Sequence, residues 1–171
     1  MAMVMNPTSE GGEPSAGGER GARVRFPPPL VFALSTLTGV ALQHFARGIH
    51  IPVARSTSVA VGVAVLVLAI ALVASARVWF LRTGQSPVPW KPTPSLIAQG
   101  PYRFTRNPMY VGVTLIQVGL GVALDNAWIS LLAPISLVLV HRIAVVPEEA
   151  YLADKFGAAY ETYRARVRRY L

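Results

Sequence analysis

The chain contains no cysteine. That absence excludes a disulfide framework, a Cys-ligated zinc site, a thiol nucleophile and S-acylation. Charge is also scarce. Asp, Glu, Lys and Arg make up 14% of the 171 residues, where a soluble domain carries about 25%. Too few polar groups remain to coat a water-facing globule. An ordinary soluble enzyme is therefore disfavoured and a small integral membrane protein expected. Acids are the rarest charges, 8 against 16 Lys and Arg, which leaves a formal charge of +8. The basic residues sit between apolar runs, without the aromatic-interleaved surface that binds nucleic acid, so no nucleic-acid partner is expected. Three scattered His residues without ligand spacing predict no metal site. No glycine-rich phosphate loop follows a strand, which argues against a Rossmann cofactor domain. Gly119-Leu120-Gly121 lies inside an apolar run and reads as helix packing.

Hydrophobic residues make up 53% of the chain, and they are gathered into runs. Residues 1–26 form a Gly-, Pro-, Glu- and Ser-rich segment, read as a disordered tail and not as a signal peptide. Residues 27–171 read as a single all-α transmembrane domain with about four spans. The runs are Leu30 to Ala46, Ser58 to Leu81, Met109 to Leu124, and Ala127 to Val146, the last interrupted by Pro134 and by His141-Arg142. Asp125-Asn126 signals a tight turn, so the last two runs read as a helical hairpin. Leu152, Phe156, Tyr160, Tyr163 and Val167 recur at spacings of three and four with arginines among them, the pattern of a C-terminal amphipathic interfacial helix.

Charge placement orients these runs. Arg20, Arg23 and Arg25 precede the first. Arg47 and Arg55 lie between the first and second, and Arg82, Lys91, Arg103 and Arg106 between the second and third. Lys155 and four arginines follow the fourth, whereas only Asp125 lies between the third and fourth. Four spans with both termini cytoplasmic satisfy the positive-inside rule, and Arg- and Ala-rich composition suggests a bacterial plasma membrane. The proline-rich linker and the C-terminal helix then share the cytoplasmic side.

Two clusters carry the candidate chemistry. The first is Gln99-Gly100-Pro101-Tyr102, followed by Arg106-Asn107-Pro108 and Tyr110. Asn107 suits a helix N-cap and Pro108 the first helical position. A helix start also offers backbone N–H groups to an anion, with Arg103 and Arg106 adding charge. The second is His141-Arg142 and Glu148-Glu149, the pair following Pro147. Acids in a first helical turn meet the macrodipole favourably, each contributing about 0.3–1 kcal/mol. An adjacent carboxylate pair in so basic a chain also suits a ribose diol, a ligand amine or a cationic ligand. His141 and Arg142 either snorkel to the interface or face the interior as site residues. His44 and His50 read as structural.

Together the clusters resemble the isoprenylcysteine carboxyl methyltransferase family and the related phospholipid N-methyltransferases. The family pattern is a Gly-x-Tyr turn, Arg-(His or Asn)-Pro-x-Tyr opening a hairpin, and a Glu-Glu pair. Leu-x3-Phe-Gly-x2-Tyr-x2-Tyr-x3-Val follows. The matches are Gly100, Tyr102, Arg106, Asn107, Pro108, Tyr110, Glu148 and Glu149. They continue through Leu152, Phe156, Gly157, Tyr160, Tyr163 and Val167. The resemblance covers Gln99 to Leu171, which it makes the cofactor-binding half. It implies a membrane-embedded methyltransferase dependent on S-adenosyl-L-methionine, acting on a lipophilic small-molecule, isoprenoid or carboxylate acceptor that enters from the bilayer. Phospholipid N-methylation and a non-catalytic protein keeping the scaffold are the alternatives. By position, Gln99, Gly100, Pro101, Tyr102, Arg106, Asn107, Pro108, Tyr110, His141, Glu148 and Glu149 would hold the cofactor. Arg106 or Arg142 would orient an acidic acceptor or the cofactor carboxylate. Asn107 stands where the eukaryotic carboxyl methyltransferases usually have His; it keeps hydrogen bonding but cannot gain a positive charge. Acceptor specificity is expected in the first half of the chain, which carries no part of the pattern.

Overall fold

The structure, a computed structural model, describes residues 22, 24, 26–46, 48–86, 91 and 93–170. The expected tail, residues 1–26, lies outside them except for Ala22, Val24 and Phe26. Six α-helices follow one another, and no strand forms among the described residues. They are α1 (Pro28–Phe45), α2 (Arg55–Arg82), α3 (Pro108–Ala123), α4 (Ala127–Val140), α5 (Val146–Phe156) and α6 (Ala158–Arg166). A 3-10 turn, Gly100–Arg103, precedes α3, and a π-turn, His141–Val145, joins α4 to α5.

Two helical stretches are long and apolar enough to cross a membrane: Arg55–Arg82 and the continuous run Ala127–Phe156. Pro108–Ala123 is apolar but shorter, and α1 has 18 residues. α1 packs on α4, α4 on α3, and α3 on α2.

Small residues make the α2–α3 seam. A Cβ on Gly62 would strike the backbone of Ala123, and one on Gly119 would lie 3.1 Å from the Gly62 carbonyl oxygen. A Cβ on Gly112 would strike the Val73 side chain. Ala69 and Ala76 are fully buried on α2. Without a hydrophobic drive between helices in lipid, such backbone approach is what holds them together. Gln117 adds polar ties, donating through Nε2 to Ser35 Oγ at 2.9 Å and to the Ile129 carbonyl at 3.2 Å. It thereby links α3 to α1 and α4.

The Asp125-Asn126 turn forms as expected. Asp125 adopts φ 54°, and the Asn126 side chain caps α4 by accepting from Ile129 N–H at 3.3 Å. Asp125 also accepts from Ile51 N–H at 2.7 Å and meets His50 Nδ1 at 2.7 Å, while Arg55 donates to the Ala123 carbonyl at 2.7 Å. These contacts clasp the α1–α2 loop to the α3–α4 turn and give His50 its structural role.

Two local expectations are corrected. Pro134 does not interrupt α4; the change comes at His141–Val145, where Val146 N–H reaches back to the His141 carbonyl. Pro147 cannot donate to a carbonyl four residues back and its ring crowds it, so the preceding turn widens. The C-terminal amphipathic helix is two helices, because Gly157 takes φ 48° between α5 and α6. Its apolar stripe forms a protein core of its own: Phe156, Tyr160 and Tyr163 pack with Leu96, Leu152, Ala153 and Val167.

Candidate active site

The loop before α3 is built around Gly100 and Tyr102. Gly100 sits at φ 59°, and a Cβ there would run into the Trp79 indole. The close approach brings the 3-10 turn against the end of α2, where Tyr102 packs edge-on to Phe80 at 5.9 Å between centroids. Tyr163 of α6 donates its hydroxyl to the Tyr102 carbonyl at 2.8 Å. Burial pushes the phenol pKa values of Tyr102, Tyr160 and Tyr163 upward, so all three remain protonated donors at neutral pH.

The chain then pairs with its own C-terminal strand-like end. Thr105 forms a parallel bridge with Arg168. Arg106 N–H donates to the Arg168 carbonyl at 2.9 Å, and Thr105 Oγ1 donates to the Arg169 carbonyl at 3.1 Å. Asn107 occupies the N-cap position of α3, as expected, but its side chain does not cap the helix; Nδ2 donates to the same Arg169 carbonyl at 3.1 Å. The widened turn ahead of α5 sets the register of Glu148 and Glu149, which follow Pro147 in the first turn.

These pieces enclose one cavity of about 300 Å³, at the small end of the range for small-molecule pockets. Tyr102, Arg106, Asn107, Pro108, Tyr110, Glu148 and Glu149 line it. The two clusters read from the sequence therefore meet, across the hairpin that separates them. Tyr110 donates its hydroxyl to Glu148 Oε1 at 2.9 Å, and Glu148 has no basic partner among the described residues. Glu149 is engaged differently. Arg106 Nη1 lies 3.3 Å from its Oε1, and Arg169 grips both oxygens, Nη2 at 2.7 Å from Oε2 and Nε at 3.1 Å from each. Hydrogen bonding to Glu149 raises the Arg169 pKa. The Arg106 side chain is only 9% exposed, and its Nε is buried without a partner.

The remaining sequence candidates stand outside the lining. Gln99, Gly100 and Pro101 shape the turn behind Tyr102. His141 turns its Nδ1 to the Tyr170 hydroxyl at 2.9 Å, and Arg142 is exposed on the π-turn. Sequence reasoning missed other walls. Pro28, Pro29 and Phe32 from the start of α1, with Met109 and Val113 of α3, form an apolar flank. Arg169 gave no signal within its run of arginines.

The sequence profile of phospholipid methyltransferases matches residues 57–159, more than half of the chain. The chain belongs to the phospholipid methyltransferase family. A protein-S-isoprenylcysteine O-methyltransferase of Schizosaccharomyces pombe is 36% identical to it over 72 residues, 42% of this chain and 30% of that protein. An uncharacterised protein of Haemophilus influenzae is 34% identical over 65 residues, 37% of this chain and 100% of that protein. The chain thus spans under a third of the length of its fission-yeast relative. Over this partial region, the matches bear out the resemblance carried by the Arg-Asn-Pro-x-Tyr and Glu-Glu motifs. With its two crossing-length apolar helices, this member of the family is a membrane protein.

Proposed function

We propose that the protein is a membrane-embedded methyltransferase that takes its methyl group from S-adenosyl-L-methionine and passes it to a nucleophile on a lipophilic acceptor. The observation that carries this reading is the Tyr110–Glu148 hydrogen bond at 2.9 Å. It brings the loop-and-helix motif and the acid-pair motif to one cavity, which Arg106 also lines. That donor set fits the cofactor. Glu148 suits a ribose diol or an amine, and the Arg106 guanidinium suits a carboxylate. When bound, S-adenosyl-L-methionine supplies a methyl group on a sulfonium, open to in-line attack by a nucleophile.

The chain's own part is binding, orientation and exclusion of water. Tyr110 fixes Glu148 through Oε1. Glu149, held by two arginines, fixes Arg106 instead of facing ligand with both oxygens free. The flank of Pro28, Phe32, Met109 and Val113 keeps the cavity dry and receives an apolar acceptor next to the polar wall. Holding two reactants together in such a site supplies about 7–11 kcal/mol of the barrier. The asymmetric charge distribution supports four crossings with both termini on the cytoplasmic side, and the Arg- and Ala-rich composition supports a bacterial plasma membrane. Arg103, Arg106, Arg164, Arg166, Arg168 and Arg169 gather at the cavity end, whereas Asp125 and Arg55 mark the other.

The acceptor is a carboxylate or isoprenoid compound on the motif resemblance, and a phospholipid amine on the family description. Incubating membranes containing the protein with methyl-labelled cofactor and identifying the labelled lipid separates them. A base-labile methyl ester supports the first and a base-stable N-methyl headgroup the second. Labelling no greater than in membranes lacking the protein supports a non-catalytic scaffold and overturns the transferase reading.

A further inference from the structure

We propose that the outer face of the turn before α3 is a docking surface for anionic lipid, made by Arg103, Phe104, Arg166 and Arg168 at the level of the membrane headgroups. None of the four lines the cavity, so the surface stands whatever the cavity binds. Phe104 is 73% exposed. It follows the 3-10 turn and belongs to none of the helices. The Arg103 guanidinium lies over its ring, 6.0 Å from the centroid. The Thr105–Arg168 bridge, with Arg106 N–H donating to the Arg168 carbonyl at 2.9 Å, sets a second exposed arginine beside the same turn. Arg103, Arg166 and Arg168 are all exposed and make no ion pair among the described residues.

Packing against α2 fixes the depth of this turn. α3 runs back along α2: Gly62 meets Ala123, Gly112 meets Val73, and Gly100 in the turn meets Trp79. Tyr102 lies against Phe80. Phe104, two residues on, is therefore level with the end of α2, where Arg82 stands over the Trp79 indole at 5.2 Å. An indole followed by arginine marks a membrane boundary, the ring among the headgroups and the guanidinium reaching outward. α3 has 16 residues, about 24 Å of helix against a hydrocarbon core of about 30 Å. So short a helix draws the turn before it into the boundary layer. That layer favours an aromatic ring and lets arginines reach phosphate oxygens. Unpaired arginines at a membrane surface attract lipids of net negative charge, over roughly a Debye length. The turn thus presents Phe104 and arginines outward, and Tyr102 and Arg106 to the cavity.

The test uses the protein reconstituted in phosphatidylcholine vesicles with a trace of spin-labelled phosphatidylglycerol or spin-labelled phosphatidylcholine. The ratio of the two association constants, read from the motionally restricted lipid, measures preference for the anion. Wild type is expected to favour phosphatidylglycerol at least about twofold, and Arg103→Gln/Arg168→Gln to lose most of that preference with its helicity retained. A second arm measures depth. The chain has no cysteine, so a nitroxide on Phe104→Cys reports a single position. The expected label is open to oxygen and shielded from an aqueous nickel chelate. No preference in wild type, or an equal preference in the double variant, overturns the anionic-lipid surface. A label fully open to the chelate also overturns it, and leaves the arginines a solvated face or a contact for a soluble acidic partner. Should the double variant fail to fold, Arg103→Gln alone decides on the same criterion, since its guanidinium makes no ion pair among the described residues. Neither arm depends on methyl transfer.

Discussion

Tyr110 in the first turn of α3 donates its hydroxyl to Glu148 in the first turn of α5, 38 residues further along the chain. A bond of that span requires the α3–α4 hairpin to fold back and the π-turn to aim α5 at the loop. The seam glycines, the Asp125 clasp and the Pro147-widened turn secure that geometry.

Removing the donor tests this pairing. Tyr110→Phe keeps the ring and deletes the hydroxyl, leaving Glu148 without its bond. The expected loss is about 1–2 kcal/mol of ligand binding, an affinity for S-adenosylhomocysteine about five- to thirtyfold weaker with the fold retained. Titration of the purified variant checks the affinity, and far-UV circular dichroism checks the fold.

The α2–α3 seam makes a prediction about packing. Gly62→Val forces a side chain into the Ala123 backbone, an overpacking cost of about 1–3 kcal/mol. Gly84→Ala meets open space and bears only the strain of φ 67°, about 1 kcal/mol. Unfolding of the two variants in detergent micelles should rank Gly62→Val as the less stable.

The clasp at the far end makes a prediction about pH. Hydrogen bonds from Ile51 N–H and from His50 hold the Asp125 carboxyl below its usual value of 3.8. A depressed pKa stabilises the fold above the unfolded value and loses that contribution as pH falls through the folded one. The advantage of wild type over Asp125→Asn should be full at neutral pH and disappear on acidification below the ordinary carboxylate range. Melting temperatures of both proteins across that range check it.

Much of this was legible in the residues. The first three apolar runs matched α1, α2 and α3 nearly to their ends, the fourth matched only the start of α4, and Asp125-Asn126 marked the hairpin turn, because hydropathy and turn chemistry are local. The cavity's polar wall followed from the two motifs. What spacing could not show depended on contacts distant in sequence. Asn107 sits at the cap position yet spends its amide on Arg169, a choice made by the C-terminal segment lying alongside. Glu148 and Glu149 look equivalent in sequence, but a rotation of about 100° around the helix axis separates the carboxylate bonded to Tyr110 from the one locked between arginines. Phe32 reaches the cavity only because α1 packs on α4, which its own composition does not specify.

On the proposed function, Glu148 helps hold an adenosyl ligand in the cavity it shares with Tyr102. Calorimetric titration of S-adenosylhomocysteine into detergent-purified wild type and Glu148→Gln measures it most directly. The expected result is one micromolar site in wild type, weakened at least about tenfold by the substitution. Absence of binding in wild type, or equal affinity in both proteins, would contradict it.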